Sequence, residues 1–438
     1  MLLNAADKAL WRLALPMIFS NITVPLLGLV DTAVIGHLDS PVYLGGVAVG
    51  ATATSFLFML LLFLRMSTTG LTAQAWGAKD PQRLARALVQ PLALALGAGV
   101  LIILLRLPLI DLALHIVGGS EAVLEQARRF LEIRWLSAPA SLANLVLLGW
   151  LLGVQYARAP VILLVVGNLL NIVLDLWLVM GLRMNVQGAA LATVTAEYAT
   201  LIIGLLMAKR VLTLRGVSLA MLKNAWRGDL RRLLALNRDI MLRSLLLQLC
   251  FGALTVFGAR LGSDIVAVNA VLMTMLTFTA YALDGFAYAV EAHSGQAYGA
   301  RDGSQLLEVW RAACRQSGMV ALAFALVYSL AGGHIIALLT SLPSLQQLAD
   351  RYLIWQTILP VVGVWCYLLD GMFIGATRGA EMRNSMAVAA AGFAVTLLTV
   401  PVLGNHGLWL ALAVFLALRG LSLALIWRRH WRRGTWFS

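Results

Sequence analysis

Residues 13–38 read LALPMIFSNITVPLLGLVDTAVIGHL, and Asp31 is the only carboxylate among them. A run of this length and apolarity crosses a bilayer as a helix, since about 20 residues at about 1.5 Å each match a hydrocarbon core of about 30 Å. An acid set among Leu, Ile and Val is costly to keep charged there, which makes Asp31 a candidate proton switch. The plainer alternative is an acid that only pairs with a polar neighbour. Pro16 and Pro25 share the stretch, and Pro25 has no N–H to reach the carbonyl of Asn21, so the helix holding Asp31 can kink.

The composition extends this reading to the whole chain. Of 438 residues, 61% are apolar and 12% charged, and the mean hydropathy is +0.86; a soluble globular protein has neither property. Twelve apolar stretches are long enough to span, near 13–38, 43–66, 87–114, 130–155, 160–181, 187–208, 242–262, 265–288, 316–340, 352–376, 385–404 and 407–427. Each is expected to be a helix, which satisfies its own backbone in lipid, and the fold class is an all-α polytopic membrane protein. The first span is too long for a signal-peptide core and carries Asp31, so it is expected to stay in the mature chain. Cys250, Cys314 and Cys366 lie in or beside apolar spans without a paired framework, and no disulfide is expected.

A net charge of +13 invites a nucleic-acid reading, but in a membrane protein Lys and Arg set orientation first. With the N-terminus inside, the inner segments and the C-terminus hold 24 Lys and Arg, from Lys8 to Arg433 and including Arg243. The outer segments hold seven, at Arg106, Arg128, Arg129, Arg134, Arg183, Arg260 and Arg351. Both termini are therefore expected in the cytoplasm, with no nucleic acid as partner. The hydrophilic connection 209–241 carries Leu219, Leu222, Trp226, Leu230 and Leu233 at spacings of three and four, with Lys223, Arg227, Arg231 and Arg232 between them. That is the pattern of an amphipathic helix on the inner leaflet, linking an N-lobe over 1–208 to a C-lobe over 242–438.

The two halves repeat each other at an offset of 222 residues. TAQAWGAKD at 72–80 falls on SGQAYGARD at 294–302, Arg129-Phe130-Leu131 on Arg351-Tyr352-Leu353, and Gly36, Gly149 and Gly153 on Gly258, Gly371 and Gly375. Six spans in each half give both repeats the same orientation, so they are parallel repeats.

Helical rise converts sequence into depth. Asp31 lies roughly 27 Å from the inner start of its span, and Asn171 and Asp175 lie roughly 17 and 22 Å along theirs, four residues apart on one face. Thr193 lies about 9 Å below the outer surface and Glu197 near mid-membrane. Asp31, Asn171, Asp175 and Thr193 thus share the outer half, where two carboxylates, an amide and a hydroxyl can hold H⁺ or Na⁺ through oxygen. Interhelical hydrogen bonding is the competing reading. The second half has Ala253 and Leu397 where the first has Asp31 and Asp175. Its Asp284 and Asp370 lie toward the inner side and rank second, with Arg65 either paired to Asp284 or snorkelling. Glu291, near His293, reads as a solvated helix end.

There is no GxxxxGK[ST] loop, HExxH pair or GxSxG elbow, so an enzyme or nucleotide-driven pump is not expected. The first span, the QAWGA and QAYGA pair and the NIVLD of the fifth span resemble the multidrug and toxic compound extrusion (MATE) transporters, in the DNA-damage-inducible F branch of enteric bacteria. The resemblance covers essentially the whole chain. It implies a V-shaped pair of six-helix lobes in the inner membrane, working as a monomer. Cationic or amphipathic small molecules would be exported in exchange for H⁺ or Na⁺ by alternating access, with no cofactor. The family's coupling residues fall on Asp31, Asn171, Asp175 and Thr193, and its bending proline on Pro16. In the NorM branch a cation site uses carboxylates of the second lobe, for which Asp370 is the only remnant here. The runner-up function is a flippase for lipids or lipid-linked sugars, which long basic grooves would favour.

Overall fold

The computed structural model of the protein describes residues 3–36, 38, 40–228 and 230–438; within them the side chains of 24–32 are not described. Asp31 and Pro25 therefore lie outside the described side chains, although their backbone is helical. All regular structure among the described residues is helical. Eleven described stretches are long and apolar enough to cross a membrane, and α1 (Ala5–Gly36), which runs unbroken through both prolines, is the twelfth long helix.

Two compact units divide the chain, one of Ile22–Leu234 and one of Met1–Asn21 with Ala235–Ser438. These differ from the lobes expected at 1–208 and 242–438: the start of α1 groups with the second unit, and 209–234 with the first. The division inside α1 falls at Asn21, the residue whose carbonyl Pro25 leaves without its intrahelical donor.

The first unit continues with α2 (Pro41–Leu60), α3 (Phe63–Gly77), α4 (Pro81–Leu104), α5 (Arg106–Val117), α6 (Glu121–Arg134), α7 (Ala138–Gly153), α8 (Arg158–Asp175), α9 (Asn185–Leu214) and α10 (Leu219–Asn224). α11 (Leu230–Arg260) passes into the second unit, which holds α12 (Ser263–Ala300), α13 (Gly303–Leu339), α14 (Pro343–Gly375), α15 (Gly379–Thr396), α16 (Val400–Leu403) and α17 (Asn405–Arg433). Helices overrun the apolar windows because an amphipathic turn continues past the membrane core: α13 begins at Gly303 where the window begins near 316. The window 87–114 is two helices, with Leu105 at φ −99° between them and Pro108 in the first turn of α5.

The expected continuous amphipathic helix is also two pieces. α10 stops at Asn224, and Gly228 takes φ +139°, a backbone that L side chains rarely adopt, before α11 starts. Leu219, Trp226 and Leu230 remain exposed while Ala225 and Leu233 are buried, as expected of a segment lying along an interface. Arg243, counted above among the inner-loop cations, is instead buried inside α11.

The duplication is visible in backbone detail. Lys79 and Arg301 are both left-handed, at φ +53° and +54°, and the next residue in each repeat, Asp80 and Asp302, caps the following helix by accepting backbone N–H bonds. Gln155 and Thr377, again 222 apart, repeat the same left-handed turn after α7 and α14. Gly149 and Gly371 admit close helix contact: a Cβ there would lie 2.5 Å from the Arg65 carbonyl oxygen and 2.7 Å from that of Ala287, and Ala287 is the repeat equivalent of Arg65.

Candidate ion and substrate site

In the first unit the site is built on α8 and α9, which pack together. Asn171 and Asp175 lie one turn apart on α8 at 2% and 1% exposure. Asp175 is the last α-helical residue; from Leu176 to Gly181 the chain widens into a π-helix. Six π-helical residues are unusual, and such segments concentrate at functional positions because the wider turn re-aims side chains and backbone groups. α9 approaches closely here: a Cβ on Gly188 would meet the backbone of Leu178 at 3.1 Å, and one on Gly167 of α8 would meet the Thr200 hydroxyl at 2.8 Å. The buried Oδ1 of Asn171 has no hydrogen-bond partner, so it is a lone acceptor beside the acid on its helix face.

Thr193 is half-buried on α9, and its hydroxyl donates to the Ala189 carbonyl of its own helix at 3.2 Å. Among the described residues it makes no hydrogen bond to Asn171, so what it offers a ligand is its oxygen as an acceptor. One turn on, Glu197 is held by a residue the sequence reading did not single out. Asn144 of α7 donates through Nδ2 both to Glu197 Oε2 at 3.0 Å and to the Glu197 carbonyl at 3.1 Å. A lone amide in the apolar run LANLVLLGW was the available signal, because a buried amide needs a partner.

The second unit presents different chemistry. Asp370 on α14 accepts, through the one oxygen Oδ2, from both Arg243 of α11 and Arg419 of α17. All three side chains are nearly excluded from solvent. Two guanidinium groups on one carboxylate oxygen disfavour a further cation at that oxygen, which speaks against the remnant cation site suggested by the resemblance. Arg419 lies within an apolar span, and an intramembrane cation of this kind calls for a counter-ion, which in the structure is Asp370.

The remaining candidates are placed as follows. Asp284 is half-buried on α12. Arg65 is 4% exposed, so it does not snorkel, and it donates to Thr69 of its own helix at 3.3 Å. Glu291, read above as a solvated helix end, is 2% exposed, because α12 runs on to Ala300 and keeps it among packed helices. Pro16 is half-buried within α1.

Comparison with known proteins shows the family. The family model MatE matches residues 16–177 and 240–404. The chain is 88% identical over 436 residues to the DNA damage-inducible protein F of Escherichia coli (strain K12), covering 100% of this chain and 95% of that protein. It is 26% identical over 454 residues to the chloroplastic Protein DETOXIFICATION 45 of Arabidopsis thaliana, covering 98% and 79%. The outward-facing structure of a multidrug resistance MATE family transporter of the MOP superfamily superposes with a TM-score of 0.83 at 23% identity, covering 98% of this chain and 96% of that one. The chain belongs to the MatE family: it is a multi-pass membrane transporter, not an enzyme.

Proposed function

We propose that this protein is a secondary active exporter of cationic or amphipathic toxic compounds, driven by exchange for H⁺ or Na⁺. Its setting is a bacterial inner membrane, with both termini cytoplasmic. The observation that carries this reading is the Asn171–Asp175 pair, an acid and an unpartnered amide oxygen buried on one face of an apolar helix where α8 passes into a π-helix. A site of that kind changes charge when it takes up a proton or a small cation, and a bound organic cation competes for the same carboxylate.

In this reading Asp31, Asp175, Asn171 and the Thr193 oxygen handle the coupling ion, and Glu197, steadied by Asn144, contributes negative charge nearer mid-membrane. Binding the coupling ion releases the organic cation outward, and the ion-loaded carrier returns by alternating access to discharge the ion inside, α1 bending at Pro16 and Pro25. One H⁺ for one monocation is electroneutral and draws about 1.4 kcal/mol per pH unit; a two-for-one exchange adds about 2.3 kcal/mol per 100 mV.

The test uses purified protein in liposomes with an imposed pH or Na⁺ gradient and a fluorescent organic cation. Gradient-dependent movement of the cation that collapses with an ionophore supports the exporter. Movement of a labelled lipid across the bilayer with no effect of either gradient would replace it with the flippase reading.

A further inference from the structure

Away from that site, the first unit contains a cationic cavity that ion exchange does not use. It has a solvent-accessible volume of ≈ 70 Å³ and is lined by Arg83, Arg86, Gln90, Pro91, Arg232 and Leu71, with Ala87 and Leu233 completing the wall. The spacing of Arg83, Arg86 and Gln90 puts all three on one face of the first turns of α4, and Arg232 comes from the start of α11.

Three guanidinium groups converge here; Arg83 is repelled by Arg232 and Arg86 and attracted by Asp80. The nearest acid in sequence, Asp80, spends its Oδ1 on the N–H groups of Gln82 and Arg83 as the helix cap. Among the described residues neither Arg83 nor Arg86 forms an ion pair. Arg86 is pinned from outside: its Nε is buried without a partner, and Gly228 crosses so close that a Cβ would lie 2.6 Å from that nitrogen. Gln90 is 7% exposed and donates to the Trp226 carbonyl at 3.3 Å, which ties the 225–228 turn over the cavity. Pro91 has no N–H to give the Ala87 carbonyl, so the wall adds an acceptor suited to a ligand hydroxyl.

Repelling cations held together at a helix start favour an anion, and a fork of guanidinium donors matches the oxygens of phosphate or carboxylate. Leu219, Trp226 and Leu230 lie exposed on the neighbouring segment, and a tryptophan beside a basic pocket is characteristic of the headgroup level of a bilayer. We propose that this cavity binds the phosphate of an anionic glycerophospholipid, with the acyl-glycerol part lying over Leu219, Trp226 and Leu230. The bound lipid bridges α4, the 225–228 turn and the start of α11.

Native mass spectrometry of the full-length protein, released from detergent and titrated with phosphatidylglycerol, phosphatidylcholine or inorganic phosphate, tests this. Phosphatidylglycerol should bind at least tenfold more tightly than phosphatidylcholine. The double variant Arg83→Gln/Arg86→Gln should lose at least tenfold of that affinity, while Arg83→Lys/Arg86→Lys keeps most of it. Inorganic phosphate displacing the lipid only at far higher concentration assigns the site to lipid; equal potency assigns the same phosphate chemistry to an anion in solution. A glutamine variant that melts with the wild type yet binds phosphatidylglycerol undiminished overturns the proposal, as does failure of both anions to bind the wild type.

Discussion

Arg419 of α17 donates to Asp370 of α14, and it does so at the same carboxylate oxygen that Arg243 of α11 engages. The three helices are therefore joined through one charge that has little access to solvent. Removing the acid strands two buried guanidinium groups, and breaking a buried ion pair from one side costs about 3–5 kcal/mol. Asp370→Asn should accordingly lower the melting temperature of the detergent-solubilised protein by several degrees. The protein that remains folded should show the wild-type dependence of efflux on external pH. A shifted pH profile with an unchanged melting temperature would place coupling in the second unit.

Coupling is expected to respond differently. Asp175→Asn keeps the volume and hydrogen-bonding shape of a 1% exposed side chain while removing its ability to change charge. Gradient-driven efflux should fall at least tenfold, and proton release on adding substrate should disappear, with little change in melting temperature. Asp31→Asn should behave alike. Asn144→Leu removes both hydrogen bonds to Glu197, and losing a donor to a charged group costs about 1.5–3 kcal/mol, so it should weaken transport without abolishing proton release. Wild-type efflux from Asp175→Asn in liposomes would remove that acid from the mechanism.

How far the sequence could be read depended on whether a feature is local. The spans, the offset of 222 and the Asn171–Asp175 face follow from apolar runs, matching motifs and helical period, all of which survive folding. The break of α8 into a π-helix after Asp175 leaves no compositional mark, since LWLVMG is equally good α-helix. Asn144 with Glu197 and the Arg243–Asp370–Arg419 cluster join residues 49 to 127 positions apart, and only packing decides such pairs. Arg243 reads as a loop cation because hydropathy marks only the edge of a membrane window, whereas α11 is helical from Leu230 and carries that cation inward.

The repeated turns give a stability prediction with an internal control. Lys79 and Arg301 occupy left-handed backbone, which costs an ordinary L-residue about 1–2 kcal/mol and a β-branched one more. Lys79→Val and Arg301→Val should each destabilise, while the glycine variants should be neutral or better within about 1 kcal/mol. Asp80→Ala and Asp302→Ala should each cost about 1 kcal/mol as lost helix caps. Thermal unfolding of the three pairs should give matched effects across the two repeats. A large cost in one repeat and none in its equivalent would show that the shared geometry does not carry shared energetics.

A final prediction concerns acid stability at the start of α1, ahead of the apolar span. Asp7 is 4% exposed; Arg315 Nη2 donates to its Oδ1 at 3.0 Å and the Asn4 N–H to its Oδ2 at 3.2 Å. Burial alone would push the carboxyl up, but the Arg315 guanidinium and the Asn4 N–H outweigh it and hold Asp7 below the ordinary carboxylate value. A depressed value means that the unfolded chain binds the proton more readily than the folded one. The stabilisation is therefore fully present above the unfolded pKa, about 3.9, and is lost as pH falls through the folded value. Asp7→Asn removes it at every pH, so its melting temperature should lie below wild type at pH 7 and 5 and converge on it below about pH 4. A gap that stays constant or widens on acidification would mean that the Arg315 pair does not hold the carboxyl down.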